Sequence, residues 1–228
     1  MAKYKEIVSM VLDMLKETSD DSLYNEGHVI FLAGRYRSFL LKQRYYSDIK
    51  KQIPESNYQT ICLDLTAGEV VEGMPCEGGY YLRSEEDIPD LLPVGNPRVG
   101  LPDSIFRGDI AYVSPDRLRY TGNNRWMDNI IYASISGGKL ALKSNNPQYL
   151  YLEKATLRGI FENAEEASDY ECDNKGNPET CDILDREFPL EDALIAPLIE
   201  LVVNELKPSV AAPEDKQNNA DDNLSPAS

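Results

Sequence analysis

Few residues in this sequence have the types and spacing that catalysis requires. His28 is the only histidine, and no nucleophile motif lies near it, which favours a structural role for this residue. The run Gly137-Gly138-Lys139 has neither the upstream glycine nor the following Ser or Thr of a phosphate-binding loop. We therefore predict that the protein is not an enzyme and needs no cofactor.

Acidic residues come close to a metal-binding pattern in the segment Glu171 to Asp182. This segment has the length of a calcium loop, but Lys175 occupies a ligand position and Asp182 stands where a bidentate Glu is required. The pairs Glu85-Glu86 and Glu165-Glu166 offer carboxylates for acid–base chemistry. With 39 Asp and Glu residues in the chain, such pairs are expected without any function. The sequence therefore predicts no metal site.

The cysteines and the hydropathy pattern bear on the compartment. Cys62, Cys76, Cys172 and Cys181 are widely spaced and form no CxxC metal pair. No stretch approaches the roughly 18 consecutive apolar residues of a membrane span. We therefore expect an intracellular chain whose cysteines are thiols. Cys172 and Cys181 flank a turn-rich segment, so these two would be able to pair under oxidising conditions.

Charge is distributed unevenly along the 228 residues. The formal net charge of −16 argues against a general nucleic-acid binder. The first 60 residues contain 9 Lys or Arg against 8 Asp or Glu, whereas the last 68 contain 4 against 18. Such asymmetry suits a protein that meets more than one partner, and a solvated acidic face produces it as well.

Two amphipathic helices are predicted at the N-terminal end, and the second one positions the basic residues. Apolar residues recur at three- and four-residue steps within 4–16 and within 25–47, and the short connection predicts an antiparallel helical hairpin. Asn25 is a suitable N-cap for the second helix, which is about 30 Å long. Its predicted buried face includes Val29, Leu32, Ala33, Tyr36, Phe39 and Leu40. Its other sides carry a basic stripe, namely Arg35, Arg37, Lys42 and Arg44.

From residue 58 to about residue 160, short β-prone runs alternate with Gly, Pro, Asn and Asp. The predicted strands are Tyr58 to Leu65 and the runs GYYLRS, DIAYVS, NIIYASI, KLALKS, QYLYLE and ATLRGIF. Gly137-Gly138 and Asn145-Asn146-Pro147 are typical of tight turns. The proline-rich segment 87–103 is predicted to be a loop. This pattern favours an inserted antiparallel β barrel or sandwich.

A third long helix is predicted near the C-terminal end, at residues 188–207. Leu198, Leu201 and Val202 belong to its wide apolar surface, and acidic residues stand in its first turn. Pro197 would cost about 3 kcal/mol inside a regular helix, so we expect a kink or a helix start at this position. The polar residues that follow are expected to be disordered when free.

Together these elements predict an α+β protein. We expect a helical hairpin at 1–57, an inserted β domain at 58–161, an acidic connecting loop at 162–187, a C-terminal helix at 188–207 and an extended tail at 208–228. The β domain would thus be inserted between the second and third long helices.

Four segments of the chain carry a family resemblance, namely YKEIVSMVLDML, HVIFLAGRYRSFLLKQRY, IPESNYQTICLDL and PEDKQNNADDN. These segments resemble the ring proteins of crAss-like phages, which belong to the head-to-tail adaptor, or connector ring, proteins of short-tailed phages. These segments come from both ends of the chain, and none is a catalytic signature. The β region departs from the simplest all-helical adaptors.

The resemblance implies a structural virion protein of the tail or neck, made in the host cytoplasm. Such adaptors form a homo-oligomeric, usually dodecameric ring beneath the portal protein, where they continue the DNA channel and support further tail ring proteins. Genomic DNA would pass without sequence-specific binding, and no membrane contact is implied. The helical hairpin would form the ring body. Contacts with the portal or a neighbouring copy would involve Leu198, Leu201, Val202, Pro213, Glu214, Asp215, Asn218, Asn219 and Asp222.

The basic stripe has two functional interpretations under this resemblance. Its cations would either pair with acidic residues of a neighbouring subunit or face channel DNA through phosphate contacts. Subunit pairing is favoured, because DNA must slide through a connector and strong phosphate binding would retard it. A plain solvated helix face is the remaining interpretation.

A second class of function stays open for the β region. The chain contains 14 Tyr against 5 Phe and 1 Trp, and Tyr suits half-buried interfaces. Strand propensity explains part of this enrichment. The alternative hypothesis is therefore a soluble β-barrel module that binds protein or glycan.

Overall fold

The computed structural model describes most of the helical and β regions. The described residues are 2–16, 25–46, 52–67, 80–102, 109–118, 120–121, 126, 129–170 and 182–210. Several residues with predicted roles lie outside them, namely Cys76, Cys172, Cys181, Pro213, Glu214, Asp215, Asn218, Asn219 and Asp222. None of the described helices is long and apolar enough to cross a membrane.

Three long helices form one body. The long helices are α1 (Tyr4–Lys16), α2 (Glu26–Tyr45) and α5 (Asp192–Val210). The short helices α3 (Pro115–Leu118) and α4 (Ala164–Ser168) follow strands of the β region. Asn25 caps α2 as predicted, because its side-chain oxygen accepts a hydrogen bond from the Gly27 amide at 3.0 Å. α1, α2 and α5 each contact the other two. The C-terminal helix therefore completes the body that the two N-terminal helices begin.

The β region is a single sheet that nearly closes into a barrel. Its described strands are β1 (Gln59–Ala67), β2 (Tyr80–Ser84), β3 (Arg98–Gly100), β4 (Asp109–Tyr112), β5 (Ile130–Ser136), β6 (Lys139–Ser144) and β7 (Lys154–Gly159). Their spatial order is β3-β7-β1-β2-β6-β5-β4. The edge strands β3 and β4 approach each other. The pairs are antiparallel except β4 with β5, which is parallel.

The predicted turn at Gly137-Gly138 joins β5 to β6. The two glycines have φ of 59° and 75°, the left-handed region in which a side chain is disfavoured. Ser136 pairs with Lys139 across this turn. Positive φ at both central residues matches the twist of a β-hairpin, so this register follows from local sequence.

Two main hydrophobic cores lie on either side of a short crossing segment. Val29 and Leu198 are fully buried in the core of the three long helices, whereas Ile61 is fully buried in the core of the sheet. The crossing segment follows β7, and its Ile160 packs in the helical core while Phe161 packs in the sheet core. Adjacent residues thus anchor the two cores to each other.

Two predictions of local structure in the β region were wrong. The run QYLYLE is not a strand, because Pro147–Tyr151 forms a 3-10 helix capped by the Asn146 side chain. Proline suits the first turn of a helix, and here it outweighs the β propensity of the tyrosines. The predicted loop 87–103 contains β3, which hydrogen-bonds with β7. That pairing depends on a distant strand and has no local signature.

One of the two alternatives predicted for Pro197, a helix start, was wrong. α5 begins at Asp192 and continues through Pro197, so this proline does not mark the helix start. The apolar residues on either side of it, Leu194 and Leu198, are buried in the helical core. We attribute the continuity of α5 to this packing, which offsets the local preference of proline.

Cys62 is not the predicted thiol. It is disulfide-bonded, and its partner lies outside the described residues, among which it is the only cysteine. The Cys62 amide donates a hydrogen bond to the Tyr170 carbonyl at 2.8 Å. β1 is therefore tied to the residues that follow α4, a long-range contact that cysteine spacing cannot reveal.

Candidate assembly surfaces

α2 has a buried side and an exposed side. Of the residues predicted to be buried, Val29, Leu32, Ala33 and Leu40 are buried. Tyr36 is half-buried, but Phe39 is 53% exposed, so its predicted burial was wrong. Its neighbour Ser38 donates a hydrogen bond to the Glu162 carbonyl at 2.6 Å. Because successive helical residues are rotated by about 100°, Phe39 lies on a different side of α2 from this contact.

Arg37 lies in the interior and not on the outer stripe that the sequence predicted. Its side chain is 0% exposed. The guanidinium donates to the carbonyls of Pro189 and Phe161, each at 2.8 Å, and to that of Asn57 at 3.4 Å. Burial lowers the pKa of Arg37 to about 10, so the side chain is still a cation at neutral pH. Arg37 therefore joins three chain segments and is not available to a partner.

Lys42 and Arg44 remain at the surface, but both have partners within the chain. The Lys42 ammonium lies 3.0 Å from the Glu162 carboxylate, and Nε of Arg44 lies 3.3 Å from that of Glu191. The Tyr45 hydroxyl donates to the same Glu191 oxygen at 2.8 Å. Burial, followed by this hydrogen bond, raises the pKa of Tyr45 to about 12. These contacts hold the end of α2 against the start of α5 and against the segment after β7.

Arg35 is the exposed cation of the predicted stripe that has no hydrogen bond or salt bridge to any described residue. It lies one turn from Phe31, which is 61% exposed, and one turn from Phe39. We call these three residues the outer stripe of α2. Phe31 was not among the predicted surface residues, because it lies outside the buried three-and-four pattern. The sequence does carry a signal for this surface, because apolar residues lie on nearly every side of α2. A helix with that pattern is covered on more than one side.

α1 also exposes apolar side chains. Met10 and Met14, one turn apart, are each 49% exposed. Glu6 and Asp13 are exposed on the same helix, and we call these four residues the methionine face of α1. The helical spacing within 4–16 predicted only the buried side of α1, on which Ile7, Val8, Val11 and Leu15 are buried.

The predicted contact residues of α5 face inward. Leu198 and Val202 are 0% exposed, and Leu201 is partly buried against the helical core. α1 and α2 of the same chain cover this side of α5. Leu198 and Val202 are therefore core residues, and the tail residues assigned with them lie outside the described part of the chain.

A cleft of about 1010 Å³ lies between the end of α2 and the β sheet. Its lining includes Tyr45, Tyr46, Tyr58, Arg98 and Arg158. The Arg158 guanidinium lies 5.2 Å from the centre of the Tyr58 ring and forms a salt bridge with Glu55. Aromatic rings beside guanidinium groups are suited to contacts with peptides or sugars.

These features define a class of protein whose function resides in contacts between surfaces. Exposed apolar faces on a compact helical body, joined to a β domain, are typical of a subunit in a protein assembly. Among the described residues, no group of three or more His, Cys, Asp or Glu side chains is arranged to hold a metal ion.

Comparison with known proteins identifies the family. The model of the phage tail ring protein 2 family matches residues 6–224, and the chain belongs to this family. Ring protein 2 of Bacteroides phage crAss001 is 54% identical over 222 residues, which cover 97% of each chain. The resemblance to ring proteins of crAss-like phages is confirmed. The chain is a structural tail ring protein and a component of the virion.

Proposed function

We propose that this chain forms the head-to-tail connector ring beneath the portal and continues the DNA channel. The observation that carries the proposal is the match to ring protein 2 over almost the entire chain. A closed ring requires two contact surfaces on each subunit, and both α1 and α2 expose apolar side chains. The proposed ring is a dodecamer, with the portal protein and further tail ring proteins as its neighbours.

The portal contact is assigned to the C-terminal segment. α5 ends at Val210, and residues 211–228 contain four acidic residues against one Lys. A polar segment of this kind is able to order on a partner and cover a large surface. The proposed contacts to the portal or the next subunit are Pro213, Glu214, Asp215, Asn218, Asn219 and Asp222.

Genomic DNA is proposed to pass through the ring without strong binding. The salt bridges of Lys42 and Arg44 partly neutralise these two cations, and Arg37 is buried. Phosphate affinity rises with the number of free cations that contact DNA. An overall charge of −16 weakens such affinity further.

Native mass spectrometry with and without the purified portal of the same phage tests the connector. We expect assembly with a fixed number of copies on the portal. A truncation after Val210 keeps the described helices intact and is expected to abolish attachment. Normal attachment of the truncated chain would overturn the C-terminal assignment, and failure of the full chain to bind would overturn the connector itself.

The cleft beside the β sheet favours a second candidate function, in which the β domain binds protein or glycan. Tyr46, at the edge of this cleft, is 68% exposed, and an exposed ring is able to stack on a sugar or a proline. Titration of the full chain with glycans, compared with its Tyr46→Ala variant, tests this candidate. Glycan affinity that the variant loses would support this candidate. The absence of any glycan affinity in the full chain would exclude glycan binding as a function.

A further inference from the structure

We infer that the outer stripe of α2 docks onto the methionine face of α1 in the next copy of the chain. This inference rests on the proposed ring and names the two surfaces through which one subunit meets the next. It is carried by apolar exposure, spacing and charge on the two helices.

The helical body leaves apolar area uncovered on both helices. Phe31 and Phe39 are 61% and 53% exposed, and Met10 and Met14 are each 49% exposed. A single exposed apolar residue is normal on a protein surface. Two pairs, each aligned along a helix, form larger patches of the kind that mark interaction sites. A methionine thioether also makes favourable contacts with an aromatic ring, so each patch suits the other.

The spacing of the exposed side chains on the two helices is compatible. Phe31 and Phe39 are about 12 Å apart along α2, and Met10 and Met14 are about 6 Å apart along α1, by the rise per residue. The two methionines therefore fit between the two rings. Arg35 lies midway between those rings, where its aliphatic stem is able to cover apolar surface while the guanidinium stays at the edge.

The two surfaces also differ in charge. The outer stripe carries the Arg35 cation, which has no hydrogen bond or salt bridge within the described part of the chain. The methionine face carries the carboxylates Glu6 and Asp13, which both have contacts within the chain; Glu6 Oε2 accepts a hydrogen bond from the Lys3 amide at 3.0 Å. Lys5, at the start of α1, forms a salt bridge with Asp185 at 2.7 Å. The two surfaces therefore differ in sign, which fixes register and partner choice.

This complementarity disfavours a two-fold dimer made by the outer stripe alone. In such a dimer the outer stripe would face its own copy, and two Arg35 side chains would approach each other. When the outer stripe meets the methionine face, Arg35 meets carboxylates instead. When two copies meet through two different surfaces, the pair still exposes one outer stripe and one methionine face. Further copies add to these surfaces until the ring closes.

Two variants of the full chain test the contact. Phe39→Glu places a carboxylate in the outer stripe, and Met10→Glu places one in the methionine face. Each is expected to weaken self-association about tenfold or more, because a carboxylate would replace an apolar side chain and lose its water in the contact. Both positions are exposed, so the thermal unfolding of the monomer should not change. Self-association is measured by native mass spectrometry, with the portal and at high concentration without it.

Mixing the two variants gives the decisive result. The Phe39→Glu chain keeps an intact methionine face, and the Met10→Glu chain keeps an intact outer stripe. Their mixture is therefore expected to form a dimer of one copy of each, and no larger species. Absence of this dimer, where wild type assembles, would overturn the contact. Tyr151→Glu is the matched control, since Tyr151 is 82% exposed on the β domain, and it should assemble as wild type does.

The same measurements separate this contact from the connector function. If wild type forms rings without binding the portal, and the variants do not form rings, the contact stands and the connector assignment fails. If the variants bind the portal with the wild-type number of copies, the contact fails and the connector stands. If Phe39→Glu loses only the binding of another tail protein, the outer stripe belongs to that partner. A wild-type chain that remains a monomer in every condition overturns both.

Discussion

Nη1 of Arg37 lies 2.8 Å from the carbonyl oxygen of Phe161. This hydrogen bond joins the middle of α2 to the residue at which the chain leaves the β sheet. Phe161 is fully buried in the sheet core, while its neighbour Ile160 is buried in the helical core. The Arg37 side chain therefore fixes the helical body against the β domain, and a ring subunit needs such a constant geometry to present its surfaces.

Loss of the Arg37 side chain should destabilise the fold. Arg37→Met removes the donors to three backbone carbonyls, and we expect the free energy of unfolding to fall by about 3 kcal/mol. Urea unfolding of the monomer measures this change. Arg35→Met, two residues away on the exposed side of α2, should change the free energy of unfolding by less than about 0.5 kcal/mol. Equal losses in the two variants would contradict the interior role of Arg37.

Leu198 and Leu201 should differ in their contribution to stability. Leu198 is fully buried, so Leu198→Ala should lower the free energy of unfolding by about 2–5 kcal/mol, as expected for a core cavity. Leu201 is only partly buried against the same core, and its replacement by Ala should cost clearly less. Differential scanning calorimetry of the monomer distinguishes the two. A larger loss at Leu201 would show that the core is arranged differently.

Two glycines should respond in opposite directions to replacement by alanine. A Cβ at Gly34, inside α2, would meet no atom within 4 Å. Gly34→Ala should therefore stabilise the monomer by about 0.5–1 kcal/mol through its higher helix propensity. Gly138 has φ of +75° in the turn after β5, so Gly138→Ala should destabilise by about 1 kcal/mol. Thermal unfolding midpoints that move in the same direction would contradict this assignment.

The stability of the fold should depend on Tyr45 at alkaline pH. Burial and the hydrogen bond to Glu191 raise the pKa of Tyr45 to about 12, whereas an unfolded tyrosine has a pKa of about 10. Between these values the folded chain binds more protons than the unfolded chain. Stability is therefore fully retained below the unfolded pKa and is lost as the pH rises through the folded one.

Replacement of Tyr45 by Phe isolates this effect. Tyr45→Phe removes the titrating hydroxyl, so the free energy of unfolding should fall less steeply with pH above about 10 than in wild type. The variant also loses the hydrogen bond to Glu191, which lowers its stability at neutral pH without changing this slope. Urea unfolding at several pH values measures both quantities. Identical alkaline slopes would contradict the raised pKa of Tyr45.

Local sequence patterns determined much of the architecture. The helical spacing within 4–16 and 25–47 predicted α1 and α2, because periodicity reports which residues share a face. Asn25 predicted the start of α2, and Gly137-Gly138 predicted the hairpin between β5 and β6, since caps and tight turns depend on adjacent residues. The segments quoted for the ring proteins of crAss-like phages also led to the correct family. The division into five parts stays a prediction.

Only the tertiary structure decided which residues remain exposed as surfaces. A helix pattern does not say which sides of the helix will be covered, because the covering residues are distant in sequence. Arg37, predicted on the surface, is enclosed by carbonyls from three other segments. Phe39, predicted in the core, is exposed beside Arg35. Arg37 is buried and Phe39 is exposed because of the way in which α5 and the residues after β7 pack against α2. No local sequence pattern specifies this packing.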